Sequence, residues 1–279
     1  MPHVERVLQK MREEAAQAKA DAVASGAVAP AGNHPISEAP VSSQSADDLL
    51  ERARKVTLDT TVLEANRVRG LTSSEAGASA YKMLRTRVLQ RMRSNSWHKL
   101  AITSPRASAG KTLTSINLAI SLAHEPNQEV ILVDLDLRSP RVAQYLGLTP
   151  DTGLVDVLTR DAPLGEVLLK PDIPRLHIVP GAERVENSSE LLASRSMAGL
   201  VQTLVSTSPT TIVVFDMPPL LEADDMLSFM PLTDAVLFVV AQGETQKSDL
   251  EKSNELFKDL NLLGTVLNKS SDESPSQYY

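Results

Sequence analysis

The sequence predicts an α/β fold, a mostly parallel sheet with helices on both faces, preceded by a helical and partly disordered N-terminal segment. Three observations carry this prediction. From Leu100 onward, six short runs that are apolar on both faces alternate with helical stretches, the pattern of strands buried between two helix layers. One run, Leu100–Thr103, passes through a tight loop ending Gly110-Lys111-Thr112 into a helical pattern with apolar Leu113, Ile116, Ala119, Ile120 and Ala123. Carboxylates then gather where runs end, and such sheets bind ligands at the carboxyl ends of their strands.

Composition sets the bounds. The 279 residues, 42% hydrophobic and 23% charged, allow one substantial core and an accessory segment. With 3% aromatic residues, that core must be packed mainly by Val, Leu, Ile and Ala. The absence of cysteine excludes disulfides, thiolate catalysis and cysteine metal sites. His3, His34, His98, His124 and His177 show no ligand-like spacing, which argues against a histidine metal centre. A net charge of −7 disfavours a general nucleic-acid surface. No apolar run approaches the roughly 20 residues that span a bilayer, and the N-terminus lacks a signal-peptide h-region. The expectation is a cytoplasmic protein that meets the membrane only through a partner.

Taken in order, Val4, Val7, Leu8 and Met11 fall at helical spacing, so the first twenty residues read as a short amphipathic helix, either docking or solvated. Ser25 to Ser45 is rich in Ala, Pro, Ser and Gly and reads as a flexible linker. A charged helix is expected over Ala46–Lys55 and an irregular connection over Val56–Arg69. Tyr81, Leu84, Val88 and Met92 then mark one face of a helix, with Lys82, Arg85, Arg87, Arg91 and Arg93 around the rest. That basic surface suits a neighbouring subunit or acidic partner, and equally a solvated face. The expected strands are Leu100–Thr103, Val130–Leu135, Leu176–Val179, Thr211–Phe215, Ala235–Val240 and Gly264–Leu267. The organisation predicted is residues 1–58 as helix and linker, 59–269 as the α/β domain, and 270–279 as a polar tail.

Each residue type in the loop after the first strand has a physical task. Backbone N–H groups of Ser108, Ala109, Gly110, Lys111, Thr112 and Leu113 can wrap a polyphosphate, the Lys111 ammonium can neutralise its end, and the Thr112 hydroxyl can ligate Mg²⁺. Pro105 stands where the usual first glycine would be. A plain strand-to-helix turn with a surface lysine is the alternative for this stretch taken alone. Asp134 and Asp136, at i and i+2 on a strand end, point the same way and can address one Mg²⁺-nucleotide or a hydroxyl nucleophile beside it. Asp216 follows another buried strand, as the acidic partner of a phosphate loop does, though an aspartate there can also be a helix N-cap. Asp225 caps the next helix or lines the site. Asn268 can place an amide against a base edge, or simply form a turn. Two of the four tyrosines, Tyr278 and Tyr279, end the chain.

These residues together resemble the bacterial tyrosine kinases, the cytoplasmic autokinases of capsule and exopolysaccharide assembly, which are related to ParA/MinD-type P-loop ATPases. The similarity runs from about Asp59 to Lys269. It rests on Ala80-Tyr-Lys-Met-Leu-Arg-Thr-Arg-Val-Leu-Gln-Arg-Met92, Ile102-Thr-Ser-Pro105 with Gly110-Lys-Thr112, and Val133-Asp-Leu-Asp-Leu-Arg-Ser-Pro140. It continues through Gly153-Leu-Val-Asp-Val-Leu158, Asn187-Ser-Ser-Glu-Leu-Leu192, Asp216-Met-Pro-Pro219 with Asp225, and Gly264-Thr-Val-Leu-Asn-Lys269. The resemblance implies a protein-tyrosine autokinase using ATP and Mg²⁺, with Lys111 and Thr112 on phosphates and metal. It makes Asp134 and Asp136 the pair that activates the tyrosine hydroxyl and helps place the metal, and Asp216 the completion of the metal shell. Tyr278 and Tyr279 become phosphorylation sites, and the cytoplasmic segment of a membrane polysaccharide co-polymerase becomes the activating partner, with a homo-oligomer in view. Arg106-Ala107-Ser108 replaces the glycine and proline that relatives favour, which puts ATP affinity or turnover in question, although Arg106 could itself meet a phosphate. The oligomerisation motif E-x-x-R-x-x-R reads Ser79, Lys82, Arg85 here. Two further readings stand beside it: a ParA/MinD-like ATPase switch, which shares the strand-end motifs and whose members carry an extra lysine near the loop's start, and a non-enzymatic adaptor of the co-polymerase, which the altered loop motivates.

Overall fold

A strand covered on both faces sends successive side chains to opposite sides. The central strands do so without a break. Leu100 and Ile102, Val130 and Leu132, Ile212 and Val214, and Leu237 and Val239 enter one apolar core. Ala101, Ile131 and Val133, Val213 and Phe215, and Val236 and Phe238 enter the other. The computed structural model describes residues 46–69, 76–258 and 260–270. The expected N-terminal helix, the linker, and Tyr278 and Tyr279 lie outside the described residues.

Eight strands form one sheet: β1 (Arg54–Val56), β2 (Lys99–Thr103), β3 (Val130–Asp134), β4 (Leu169–Pro171), β5 (Leu176–Val179), β6 (Ile212–Asp216), β7 (Ala235–Ala241) and β8 (Leu262–Asn268). Their order is β1-β4-β5-β3-β6-β2-β7-β8. Every ladder is parallel except the single Leu169 to Ile178 pairing of β4 with β5. All six expected strands form, with ends displaced by no more than two residues.

Two expectations ahead of residue 70 are overturned. The helix expected over Ala46–Lys55 stops at Glu51, and Arg54, Lys55 and Val56 instead pair with Leu169, Lys170 and Pro171. The connection expected over Val56–Arg69 contains a helix, Thr60–Ala65, whose first turn is capped by the Asp59 carboxylate accepting the Thr61 N–H at 2.8 Å. Leu63 and Val68 anchor this segment in the core. Burial of those two side chains decides the structure here, where three-residue β1 offers no periodicity of its own.

Helix Ala76–Ser94 buries Val88, Leu89 and Met92 beside helix Lys111–Ala123, whose residues are all buried except Leu113. Those two helices cover one face. Helix Arg195–Val205 covers the other with Met197, Leu200, Val201 and Leu204. All four phenylalanines serve that second core as two edge-to-face pairs, Phe215 with Phe229 and Phe238 with Phe257, each with centroids 4.8 Å apart. The buried residues of the first core are aliphatic apart from Met92, with Trp97 and Tyr145 partly buried against it. Among the described residues no helix is long and apolar enough to cross a membrane.

Strand order fixes the site. β2, which carries the phosphate loop, lies between β6 and β7, and β3 lies beyond β6. Asp134 and Asp216 pair directly in the β3/β6 register, and Asp216 also stands opposite Ile102 of β2. The loop and both carboxylate motifs therefore open together at the carboxyl ends of these central strands.

Candidate active site

The loop keeps its shape without the usual glycines because side chains from other segments hold it. Ser108 and Gly110 both adopt left-handed backbone, with φ of +65° and +90°. A Cβ on Gly110 would stand 2.1 Å from Asn268 Nδ2, so glycine is required there by conformation and by space. The Asn268 amide donates to the Ala109 carbonyl at 2.9 Å. Thr114 Oγ1 donates to the Gly110 carbonyl at 2.9 Å, and Ser104 Oγ to the Arg106 carbonyl at 2.8 Å. The Ala107 N–H is taken by Glu222 at 3.0 Å.

Arg106 does not face a phosphate position. Its Nε and Nη2 both donate to the buried carboxylate of Asp249 at 2.9 Å, a bidentate pair that ties the loop to the first turn of helix Lys247–Leu256. The pair keeps the Asp249 carboxyl below its usual range, chiefly through the Arg106 hydrogen bond. A position that looked free to bind ligand is consumed by the fold.

Ser108, Gly110, Lys111, Thr112, Leu113, Asp136 and Asn268 line one cavity of about 810 Å³, and Ala109 is buried behind them. At its floor, Lys111 Nζ lies 2.7 Å from Asp136 Oδ2 and 3.7 Å from Asp216 Oδ2. Thr112 Oγ1 donates to Asp216 Oδ2 at 2.7 Å and Ser115 Oγ to Asp216 Oδ1 at 2.9 Å. Burial works to lower the Lys111 pKa, but the charges of Asp216 and Asp136 outweigh it and leave the ammonium above its ordinary value. Burial also raises Asp216, with the Lys111 charge opposing.

Asp134 occupies a different place from Asp136. One of its oxygens accepts the Arg141 and Val142 N–H groups at 2.9 Å each, and the other accepts the Asp136 N–H at 3.3 Å. It shapes the loop after β3 and does not line the cavity. Burial first, then the charge of Asp216, push its carboxyl up to about 8 against the Val142 hydrogen bond.

Sequence reasoning missed several supports. Arg138 Nε donates to Asp225 Oδ2 and to Ser188 Oγ, and its Nη2 to Asp224 Oδ1, each at 3.1 Å. Asp225 is thus a fully buried partner of the Asp136 loop, and the cap of the following helix is Asp224. Asn117, also buried, accepts the Arg69 N–H at 2.6 Å and donates to the Arg67 carbonyl at 3.3 Å. One signal for it was available: an amide in the middle of an apolar helical run.

Residues 98–270 match the AAA domain family AAA_31. The succinoglycan biosynthesis transport protein ExoP of Rhizobium meliloti (strain 1021) is 32% identical over 64% of this chain, which spans 23% of ExoP's length. The tyrosine-protein kinase CpsD of Streptococcus pneumoniae serotype 4 is 31% identical over 61% of this chain and 75% of its own. Among solved structures, the chimerical protein CapA2B2 aligns with a TM-score of 0.68 at 24% identity, over 78% of this chain and 94% of its own. The septum site-determining protein MinD from Pyrococcus horikoshii OT3, complexed with Mg-ADP, aligns at 0.53 and 25% identity over 63% of this chain and 71% of its own. The chain belongs to the AAA domain family and, within it, to the bacterial tyrosine kinases whose members are found in capsule and exopolysaccharide biosynthesis.

Proposed function

We propose that this chain is an ATP-dependent protein-tyrosine autokinase that regulates the polymerisation or export of an exopolysaccharide or capsule. The observation that carries the reading is Lys111, buried at the end of the phosphate loop with its ammonium on Asp136 and near Asp216. Without ligand, lysine and carboxylate neutralise each other. A triphosphate that draws Lys111 away releases the Asp136 carboxylate to act as base. The tyrosine oxygen then bonds the γ-phosphorus in line, the bond from that phosphorus to the β,γ-bridging oxygen breaks, ADP leaves with that oxygen, and the hydroxyl proton passes to Asp136. Lys111 offsets the charge that grows on the transferring group. Asp134 positions the loop that presents Asp136.

Thr112, Asp216 and Asp136 are the groups that would hold Mg²⁺, whose chemistry is to neutralise the phosphates. The donor set fits such an ion: the Thr112 hydroxyl and the Asp216 and Asp136 carboxylates gather hard oxygen donors around Lys111, and Mg²⁺ on a nucleotide takes few protein ligands and completes its shell with phosphate and water. Asn268 steadies the loop that receives the phosphates. Tyr278 and Tyr279 are the proposed acceptors. The partner proposed is the cytoplasmic segment of a membrane polysaccharide co-polymerase, which recruits this cytoplasmic chain to the inner face of the plasma membrane and acts on a homo-oligomer of it.

The switch reading is disfavoured by one contact. Switch-type relatives carry an extra lysine near the loop's start, and the cation here, Arg106, is committed to its own Asp249. The deciding experiment is phosphopeptide mass spectrometry after incubation with Mg²⁺-ATP, with and without the co-polymerase segment. Phosphate on Tyr278 or Tyr279 that is lost in Lys111→Ala supports the kinase. ATP hydrolysis with nucleotide-dependent dimerisation and no phosphotyrosine supports the switch, and Lys111→Ala that sustains polysaccharide production supports the adaptor.

A further inference from the structure

The same cavity is walled by Asn66, Arg67, Arg69, Arg141 and Tyr145, an arginine-rich lobe outside the phosphate loop. This lobe is built. Asn117, on the phosphate-loop helix, uses its buried amide to hold the backbone of Arg67 and Arg69, and Asn66 Nδ2 donates to the Tyr145 carbonyl at 2.9 Å. Arg67 is held in left-handed backbone, φ +59°, a conformation uphill for a branched or long side chain and retained only where the surroundings impose it. Its exposed guanidinium has no ion pair among the described residues. The Arg141 N–H donates to the Asp134 carboxylate, and among the described residues its exposed guanidinium hydrogen-bonds only Ser139 Oγ, at 3.3 Å.

Charge gives the lobe its chemistry. Among the described residues two carboxylates line the cavity, and both are engaged: Asp136 with Lys111, and Glu222 with the Ala107 N–H. Arginines therefore dominate this lobe in a chain whose net charge is −7. Planar guanidinium groups suit carboxylates and phosphates by the same bidentate geometry, and a peptide acceptor offers the former.

We propose that the lobe reads the acidic residues of a tyrosine-bearing acceptor peptide, with Arg67 and Arg141 as specificity-determining residues beside Asp136. The proposal rests on the kinase reading. The chain's own last ten residues have this chemistry: Asp272 and Glu273 precede Tyr278 and Tyr279 by a few positions.

The test uses the full chain and two synthetic peptides, Ser-Ser-Asp-Glu-Ser-Pro-Ser-Gln-Tyr-Tyr and its counterpart with Asn and Gln in place of the two acids. Wild type should phosphorylate the acidic peptide with kcat/KM about tenfold higher, mostly through KM, the scale of one charged hydrogen bond. The variant Arg67→Gln/Arg141→Gln should erase that preference while calorimetric ADP affinity stays within about twofold of wild type. Equal use of both peptides by wild type overturns the proposal. A preference that survives in the variant, with weakened ADP binding, also overturns it and assigns the arginines to the nucleotide's phosphates. Fluorescence anisotropy of the labelled peptides on the ADP-loaded chain separates the two levels of inference. Tighter binding of the acidic peptide, lost in the variant, sustains the lobe even if no phosphotyrosine forms and the kinase reading falls. Equal binding of both peptides rejects the lobe.

Discussion

Replacing Lys111 with methionine should destabilise the ligand-free protein as well as abolish phosphoryl transfer. With an effective dielectric near 20, unit charges at 2.7 Å and 3.7 Å attract by about 6 and about 4.5 kcal/mol. Withdrawing an ammonium from water costs several kcal/mol in return, so the expected net loss on removing one partner of this buried cluster is about 3 to 5 kcal/mol. Asp136 and Asp216 would then share the floor of the site with no cation, with Asp134 close behind them. Urea unfolding measures the effect: with a slope of about 2 kcal/mol per molar, the midpoint should fall by roughly 2 M. The double variant Lys111→Met/Asp136→Asn should regain part of that loss, and the shortfall from additivity should exceed about 1 kcal/mol. A midpoint for Lys111→Met equal to wild type would refute the idea that the lysine neutralises these carboxylates. The result also bears on any inactive control made at this position, which must be checked for folding before its silence is assigned to chemistry.

Other consequences follow from the same geometry. His177 of β5 is buried, and burial followed by the Lys170 charge hold its pKa down at about 4. Its neutral form is the folded one, so stability is unaffected above the unfolded value near 6.5 and falls as pH drops from there toward 4, by about 3 kcal/mol in all. His177→Leu should flatten that limb of a stability-against-pH curve by this amount; an unchanged slope would mean the imidazole is protonated in the fold. Gly110→Ala should cost about 1 to 2 kcal/mol for the left-handed backbone alone, and more because Asn268 must move, with nucleotide affinity falling in calorimetry. Asn268→Ala frees the Ala109 carbonyl and should cost about 1 kcal/mol, with a smaller loss of ADP affinity than Gly110→Ala causes.

Apolar runs on both faces made β2, β3, β5, β6, β7 and β8 legible, because a strand between two helix layers has no polar side to confuse the pattern. β1 and β4 carried no such signal. Each has three residues, and Lys55, Lys170 and Pro171 break any run, so pairing with each other and with β5 supplies the structure. The phosphate loop was visible in Gly110-Lys111-Thr112, but its supports were not. Glu222 and Asp249 lie more than a hundred residues from the loop they hold, and only the fold brings them to Ala107 and Arg106. Asp134 and Asp136 looked equivalent at i and i+2. Turning of the chain after β3 gives the first to backbone N–H groups and leaves the second facing the cavity.

The central place of β2 also sets a schedule for synthesis. Lys99 pairs with Val213 and Leu100 with Ala235, so the strand that launches the phosphate loop leaves the ribosome long before either neighbour exists. At about 5 to 20 residues per second the first neighbour follows some 6 to 23 seconds later. Through that interval Leu100, Ala101 and Ile102 have no flanking strand to pair with, and a chain terminated before Ile212 never acquires one. A ribosome-bound nascent chain halted there should be a target for chaperones that hold extended apolar segments, and release of that hold should coincide with emergence of Ala241.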